Sequence, residues 1–436
     1  MAAPERAPGR AAADPRLPAA SGDAAAGRMA PMSPAVVALA LALLLGLQPI
    51  TTDLYLPALP MLARELAAPF HAVQLTMSAV LLSFGFAQLA MGPLSDRFGR
   101  RPVLLGGLSL YALASLGAVL APDIAVLVAF RALQGVGMAA SVVCARAMVR
   151  DLYEPHEGAP IMSRGLSGLG VIAIVGPALG GLLATQFGWR AALMAVAAAG
   201  VFTAGFAWRC VPETARALNP LALDPKPLLR TAGEVLRHPG FRAWTALISS
   251  TYGGLFVLLA GSSFVYIGTL GLPPWGYGLA MASASLAYLS GTVYCRHLLP
   301  RLGLTGAVKR GAFYTLAGGL LMVATGFSGL APAQALLPVL LAHWLYAFGH
   351  GIHQPCGQTA AVGAFPQAAG VASALSGFVL ALTAFFVGLW LGAVLDGQLA
   401  TLALGLGFFA LLTSGIAWTL VQRHGERFVA PVARQA

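Results

Sequence analysis

Apolar residues in this chain run in long, unbroken stretches rather than alternating with period two. Charged and turn-forming residues cut these stretches into twelve segments, each roughly 20 residues long. Their approximate bounds are 34–58, 71–94, 102–121, 124–145, 162–185, 190–210, 242–270, 275–296, 308–330, 334–356, 367–394 and 400–421. Such a run predicts a membrane-crossing helix, because hydrocarbon offers no water to a backbone that does not hydrogen-bond within itself. The pattern is least regular over 334–370, where Pro, Gly and His interrupt it.

Composition agrees with this picture and excludes a soluble protein. Of the 436 residues, 58% are hydrophobic and only 9% charged, whereas a soluble domain carries about a quarter charged residues. The predicted fold class is therefore an all-α polytopic membrane protein. The net charge of +11 would suggest nucleic acid in a soluble chain, but the positions of the charges argue otherwise. With twelve spans, 23 of the 26 basic residues fall on the side of the two tails; only Arg64 and Arg190 lie on the other, and Arg131 lies inside a span. By the positive-inside rule both termini are expected in the cytoplasm, and the basic excess reports topology, not a nucleic-acid surface.

The longest connection, 212–240, is rich in Pro and mixed charge and divides the spans six and six. The expected organisation is a disordered tail over 1–33, a six-helix bundle over 34–211, a linker over 212–240, a second six-helix bundle over 241–421 and a tail over 422–436. A faint repeat supports two related halves: Gly92 and Arg97 at the end of span two recur as Gly291 and Arg296 at the end of span eight. Two similar six-helix halves with a substrate site between them are a common transporter plan. Cys144, Cys210, Cys295 and Cys356 show no metal-ligand spacing and read as small packing residues, with no metal expected.

The most specific string is GPLSDRFGRRPVLL, Gly92–Leu105, in the short turn after span two. Gly92 would let two helices approach closely, and Gly99 permits a tight turn. Asp96 suits a helix N-terminus or an ion pair with Arg97, Arg100 or Arg101, which would also anchor the turn at an anionic leaflet. The string resembles the signature loop of the major facilitator superfamily, in which this cluster is understood as a latch between the halves in one conformation. RALQGVGMAA, Arg131–Ala140, resembles a second signature of that family, with Arg131 as the intramembrane cation. GPALGG, with Gly176, Pro177, Gly180 and Gly181, resembles the core associated with its antiporters; small residues permit close crossing and the proline kinks the helix. TTDLYLPALP, FGWRAAL and FPQAAGVASALSG look like the drug-efflux branch named for bicyclomycin and chloramphenicol resistance, and VPET resembles the family's usual exit from span six.

One acid interrupts the apolar run from Met29 to Ala63. This is Asp53. A charge at such a depth is costly and marks a functional position. If span one continues to Leu62, Asp53 and Arg131 lie roughly 13 and 10 Å from the same surface at 1.5 Å per residue. A direct pair is one expectation; the other is that Arg131 snorkels outward and Asp53 caps a helix end. Tyr55 and Gln134 join them as cavity candidates, with Tyr252, Tyr266, Trp344 and Tyr346. Span ten adds His343 and His350 on one face and His353 some 60–80° round from it. Packing, cavity lining and metal binding are the readings open there, the last without an acidic or Cys partner nearby. Asp396 reads as a turn residue.

The resemblance implies a proton-coupled exporter of small amphiphilic molecules or antibiotics that works by alternating access in a bacterial inner membrane. It would be monomeric, driven by the proton gradient without a cofactor, and not an enzyme. In this reading, protonation of Asp53, coupled to Arg131, selects between the two states. A metabolite importer or exporter of the same superfamily is the alternative within transport, and a membrane enzyme or sensor the alternative outside it.

Overall fold

The structure, a computed structural model, describes residues 32–153, 155–215, 217–395 and 397–425. Both tails lie almost wholly outside these residues, as do Arg216 and Asp396, so the turn expected at Asp396 is not among them. The described chain is helical throughout, without strands. Ten helices are long and apolar enough to cross a membrane. Span one is Pro34–Glu65, two Phe70–Phe98, three Arg100–Val119 and four Ile124–Leu152. Span five is Pro155–Phe187 and six Trp189–Cys210. Span seven is Pro239–Thr269, ten Pro332–Gly363, eleven Pro366–Val394 and twelve Leu399–His424.

Spans eight and nine form the continuous helix Pro274–Gly326. Its 53 residues would extend roughly 80 Å, too long for a single crossing. Gly303 divides it, with φ 63° and ψ −173°, a conformation that a Cβ would disfavour. The connection expected over 297–307 is thus a single-residue kink, and the two helices add to the ten to make twelve spans. Elsewhere the breaks follow local chemistry. Proline stands in the first turn of the helices beginning at Pro34, Pro239, Pro274 and Pro332, where its missing N–H costs nothing. Asp123 caps span four by accepting from Val126 N at 2.9 Å. The connection after span six is not plain linker: it contains the amphipathic helix Pro225–Arg237, capped by Asp224.

Span one is itself broken. Its α-helix ends at Asp53, a 3-10 turn covers Leu56–Ala58, and an α-helix resumes at Leu59–Glu65. Pro57 explains the break, since it lacks an N–H and its ring clashes with the carbonyl one turn earlier. The span nevertheless continues beyond Asp53, which keeps that residue away from the span's end.

The first six spans pack on one another, notably two on four, three on four, one on five and three on six. The last six do likewise: seven packs on ten, eleven and twelve, while helix Pro274–Gly326 packs on ten and twelve. Between the groups, span two lies along span eleven and span five along span eight. Small residues make these crossings possible, as van der Waals packing requires where lipid tails are as apolar as the helices. A Cβ on Gly85 would stand 2.6 Å from that of Ala381. The sequence repeat is not matched by a shared role. Gly291 lies directly against the Phe348 backbone, whereas Gly92 has nothing within 4 Å of where its Cβ would be. The close approach expected at Gly92 does not occur.

Two of the cysteines meet. The sulfurs of Cys295 in span eight and Cys356 in span ten are 3.3 Å apart, both buried free thiols. Burial should keep them inert. Maleimide is expected to leave both unmodified in the folded protein and to alkylate both after denaturation, as read by mass spectrometry.

Candidate functional site

Arg131 is fully buried. Its guanidinium does not pair with an acid; among the described residues it forms no ion pair. Nη1 and Nη2 both donate to the carbonyl of Thr51 at 3.1 Å, Nε donates to the carbonyl of Thr76 at 3.2 Å, and Nη1 also reaches Gln134 Oε1 at 3.0 Å. The Tyr55 ring lies beneath it, 4.6 Å from Cζ to the ring centroid, a contact strengthened by desolvation. The physical reason is the break in span one. A helix ending at Asp53 leaves carbonyls of its last turn without intrahelical partners and presents the negative end of its dipole. Arg131 occupies that end, as cations do at unwound helices in transporters.

Neighbouring polar groups complete the cluster. Gln134 Nε2 donates to Ser115 Oγ at 2.7 Å, and Tyr55 Oη lies 3.2 Å from Thr76 Oγ1. Tyr111 Oη stands 2.5 Å from Thr51 Oγ1, which in turn donates to Leu47 O. Arg131, Gln134 and Tyr55 therefore belong to the sealed interior of the first bundle, all fully buried, and do not line an open cavity.

Asp53 faces elsewhere, so the direct pair with Arg131 is not formed. Its Oδ1 is 2.7 Å from Thr52 Oγ1, which also lies 3.1 Å from Gln48 O. The carboxylate is half-buried and within electrostatic reach of Tyr252 in span seven and Tyr277 in span eight. Asp53 thus lies near enough to the second bundle to act on two of its tyrosines electrostatically. It is the only carboxylate among the described residues that lies within a span away from its ends. Tyr252 and Tyr288 are likewise half-buried. Tyr277 and Tyr288, not singled out by the sequence, carried no signal that set them apart from other aromatic residues.

The three span-ten histidines diverge. His350 Nδ1 lies 3.2 Å from Thr251 Oγ1, with its ring 5.6 Å from Tyr288 and 6.3 Å from Tyr252. That places His350 beside Tyr252, one of the tyrosines within electrostatic reach of Asp53. His343 is buried against Tyr266 Oη at 3.3 Å. His353 turns to span nine, with Nε2 3.2 Å from Val308 O. Tyr346 donates to Thr251 O, and Trp344 to Ser283 Oγ. Among the described residues no three His, Cys, Asp or Glu side chains could hold a metal ion.

The signature turn forms a charge network inside the first bundle. Gly99 has φ 97°, which L side chains avoid. Arg100 pairs with Asp96 and, through Nε at 2.9 Å, with Asp151 Oδ2. Arg97 lies exposed over Phe98. Asp96 does not cap span three. Glu213 does, accepting from the backbone N–H of Arg100 at 2.9 Å and of Arg101 at 3.1 Å. It also accepts from Thr214 N and Ala215 N, which ties the VPET segment to the turn. No sequence spacing links Glu213 to a helix 113 residues earlier. Glu213→Ala removes an acceptor for four donors and is expected to destabilise the protein by about 1–2 kcal/mol, measured as a lower midpoint in detergent thermal unfolding.

GPALGG sits where the halves meet at the end opposite the arginines. Gly180 contacts the backbone of Leu54 in span one, and Gly181 that of Pro274 and Trp275 at the start of span eight. In return Gly278 packs on the backbone of Pro177 and Ala178. Gly176 is looser, with only Leu54 N at 3.9 Å from a Cβ. Around the same end, Gln74 Nε2 donates to Ala260 O at 2.6 Å, and Phe70 meets Phe264 edge-on at 4.6 Å. At the arginine-rich end, Arg146 Nη1 bridges to Ser373 Oγ at 3.2 Å.

Among the described residues, twelve helices in two groups of six with one mid-span acid form the plan of a secondary membrane transporter, and the chain belongs to the Major Facilitator Superfamily, whose pattern it matches over residues 41–388. It is 30% identical over 371 residues to the chloramphenicol resistance protein of Pseudomonas aeruginosa, covering 85% of this chain and 82% of that one. It is 32% identical over 341 residues to multidrug resistance protein D of Escherichia coli (strain K12), covering 78% and 84%. These relatives agree with the bicyclomycin and chloramphenicol branch that the motifs resemble. The crystal structure of a D-xylose-proton symporter shares the fold, with a TM-score of 0.69, 16% identity, and coverage of 89% of this chain and 97% of that one.

Proposed function

We propose that this chain exports small amphiphilic compounds, antibiotics among them, in exchange for protons. It would work as a monomer in a bacterial inner membrane with both termini in the cytoplasm. The observation that carries the reading is Asp53, a carboxylate at mid-span within electrostatic reach of Tyr252 and Tyr277 in the second bundle. An acid so placed is an exchangeable proton site, since the neutral form suits an apolar seam and the charged form suits a wet one. Protonation then biases the two packings of the halves, and the proton gradient supplies the energy without a cofactor. The names of the relatives support drugs as cargo. The arginine distribution supports the orientation. Membership of a transporter family supports transport over enzymatic chemistry.

Expression in efflux-deficient cells tests this. Accumulation of chloramphenicol and of a fluorescent cationic dye should fall on expression and recover when a protonophore collapses the gradient. Unchanged accumulation of every such compound, with xylose or amino-acid flux altered instead, would move the assignment to a metabolite transporter.

A further inference from the structure

The outer wall of the first bundle carries a groove between spans three and six, with a volume of about 550 Å³. It runs from Leu116 to Leu105 along span three and from Val201 to Trp208 along span six. The eleven steps of rise from Leu105 to Leu116 correspond to roughly 16 Å, about half the thickness of a bilayer's hydrocarbon core. A small residue opens it: a Cβ on Gly205, which lines the groove, would have nothing within 4 Å. Its walls are mostly apolar side chains on a lipid-facing surface, a shape and chemistry suited to a single acyl chain.

The end of the groove differs from its walls. Arg101 lies one turn from Leu105 and donates through Nη2 to Trp208 O at 2.9 Å, which sets its guanidinium at the groove mouth. Arg209 lies one turn from Gly205 on the same helix face and is exposed. Side chains lean toward their helix's N-terminus, which carries Arg209 back over the groove. Trp208 is 68% exposed beside them, as aromatic residues are at headgroup level. Among the described residues neither Arg101 nor Arg209 forms an ion pair, and Asp96 and Asp151 are paired with Arg100. Positive charge at the mouth is therefore left for a ligand.

We propose that this groove binds one anionic phospholipid, with an acyl chain between spans three and six and the phosphate on Arg101 and Arg209. An anionic lipid fits better than a zwitterionic one because its headgroup brings no ammonium to the two guanidinium groups. The bound lipid would also brace the signature turn, since Arg101 lies in the first turn of span three and its backbone N–H is held by Glu213.

The test uses the full chain, purified, delipidated in detergent, and titrated with phosphatidylglycerol or phosphatidylcholine under native mass spectrometry. The unmodified protein should retain one phosphatidylglycerol in preference to phosphatidylcholine. Arg209→Gln should weaken that retention about fivefold and narrow the preference. Gly205→Trp fills the groove, alters no charge, and should abolish it. Gly205→Leu serves the same end should the larger side chain prevent folding, judged by monodisperse elution. Wild-type retention in a folded groove-filling variant, or equal binding of the two lipids by the unmodified protein, overturns the proposal. So does loss in Arg209→Gln alone, which would mean a basic surface without the groove.

Discussion

Asp53→Asn is expected to abolish proton exchange while leaving the protein folded. In inside-out vesicles with an imposed gradient, substrate addition should no longer release the quenching of a pH-sensitive dye. Asparagine has nearly the same volume, and its amide oxygen can still accept from Thr52 Oγ1, now at 2.7 Å from Oδ1. Asp53 forms no ion pair among the described residues, so the substitution strands no buried cation. Thermal stability should therefore stay close to that of the unmodified protein. Full proton-coupled export in this variant would remove Asp53 from the mechanism.

The second large effect is at Arg131, and it has the opposite signature. Arg131→Met nearly keeps the volume but leaves Thr51 O and Gln134 Oε1 without their donor, while Thr76 O, inside the helix Phe70–Phe98, loses only a second one. Each buried group left unpaired costs about 1–3 kcal/mol, so the variant should unfold at a markedly lower temperature and lose transport with its fold. Arg131→Lys keeps the charge but cannot reproduce the fork on the Thr51 carbonyl, and should fall between the two. Combining Arg131→Met with Asp53→Asn distinguishes this geometry from a direct ion pair. The two changes should act independently on stability, whereas a pair would make the double variant less destabilised than Arg131→Met alone.

Much of this could be read from residue order because it depends on local constraints. A run of apolar residues long enough to cross hydrocarbon must be a helix, and the arginine bias marks one side of the bundle. Gly99 at a turn that needs positive φ and Pro57 at the break in span one are likewise local rules. Asp53 stood out on energetic grounds alone. The one-residue division at Gly303 was less legible, because glycine is common along these spans and only its left-handed backbone distinguishes it.

The partners of those residues belong to the tertiary structure. Asp53 and Arg131 share a depth, and depth is a one-dimensional quantity that follows from rise per residue. Whether they touch depends on rotation about two helix axes, which rise does not specify. The fold turns Arg131 into the first bundle, onto a carbonyl beside the break in a different helix, and leaves Asp53 on Thr52, within electrostatic reach of Tyr252 and Tyr277. Glu213 reaches Arg100 and Arg101 across 112–113 residues for the same reason. Sequence by itself determined the helices, their number and the charges they carry, because those follow from burial in hydrocarbon. Only the packing decided which charge meets which dipole, because a backbone carbonyl has no letter in the sequence.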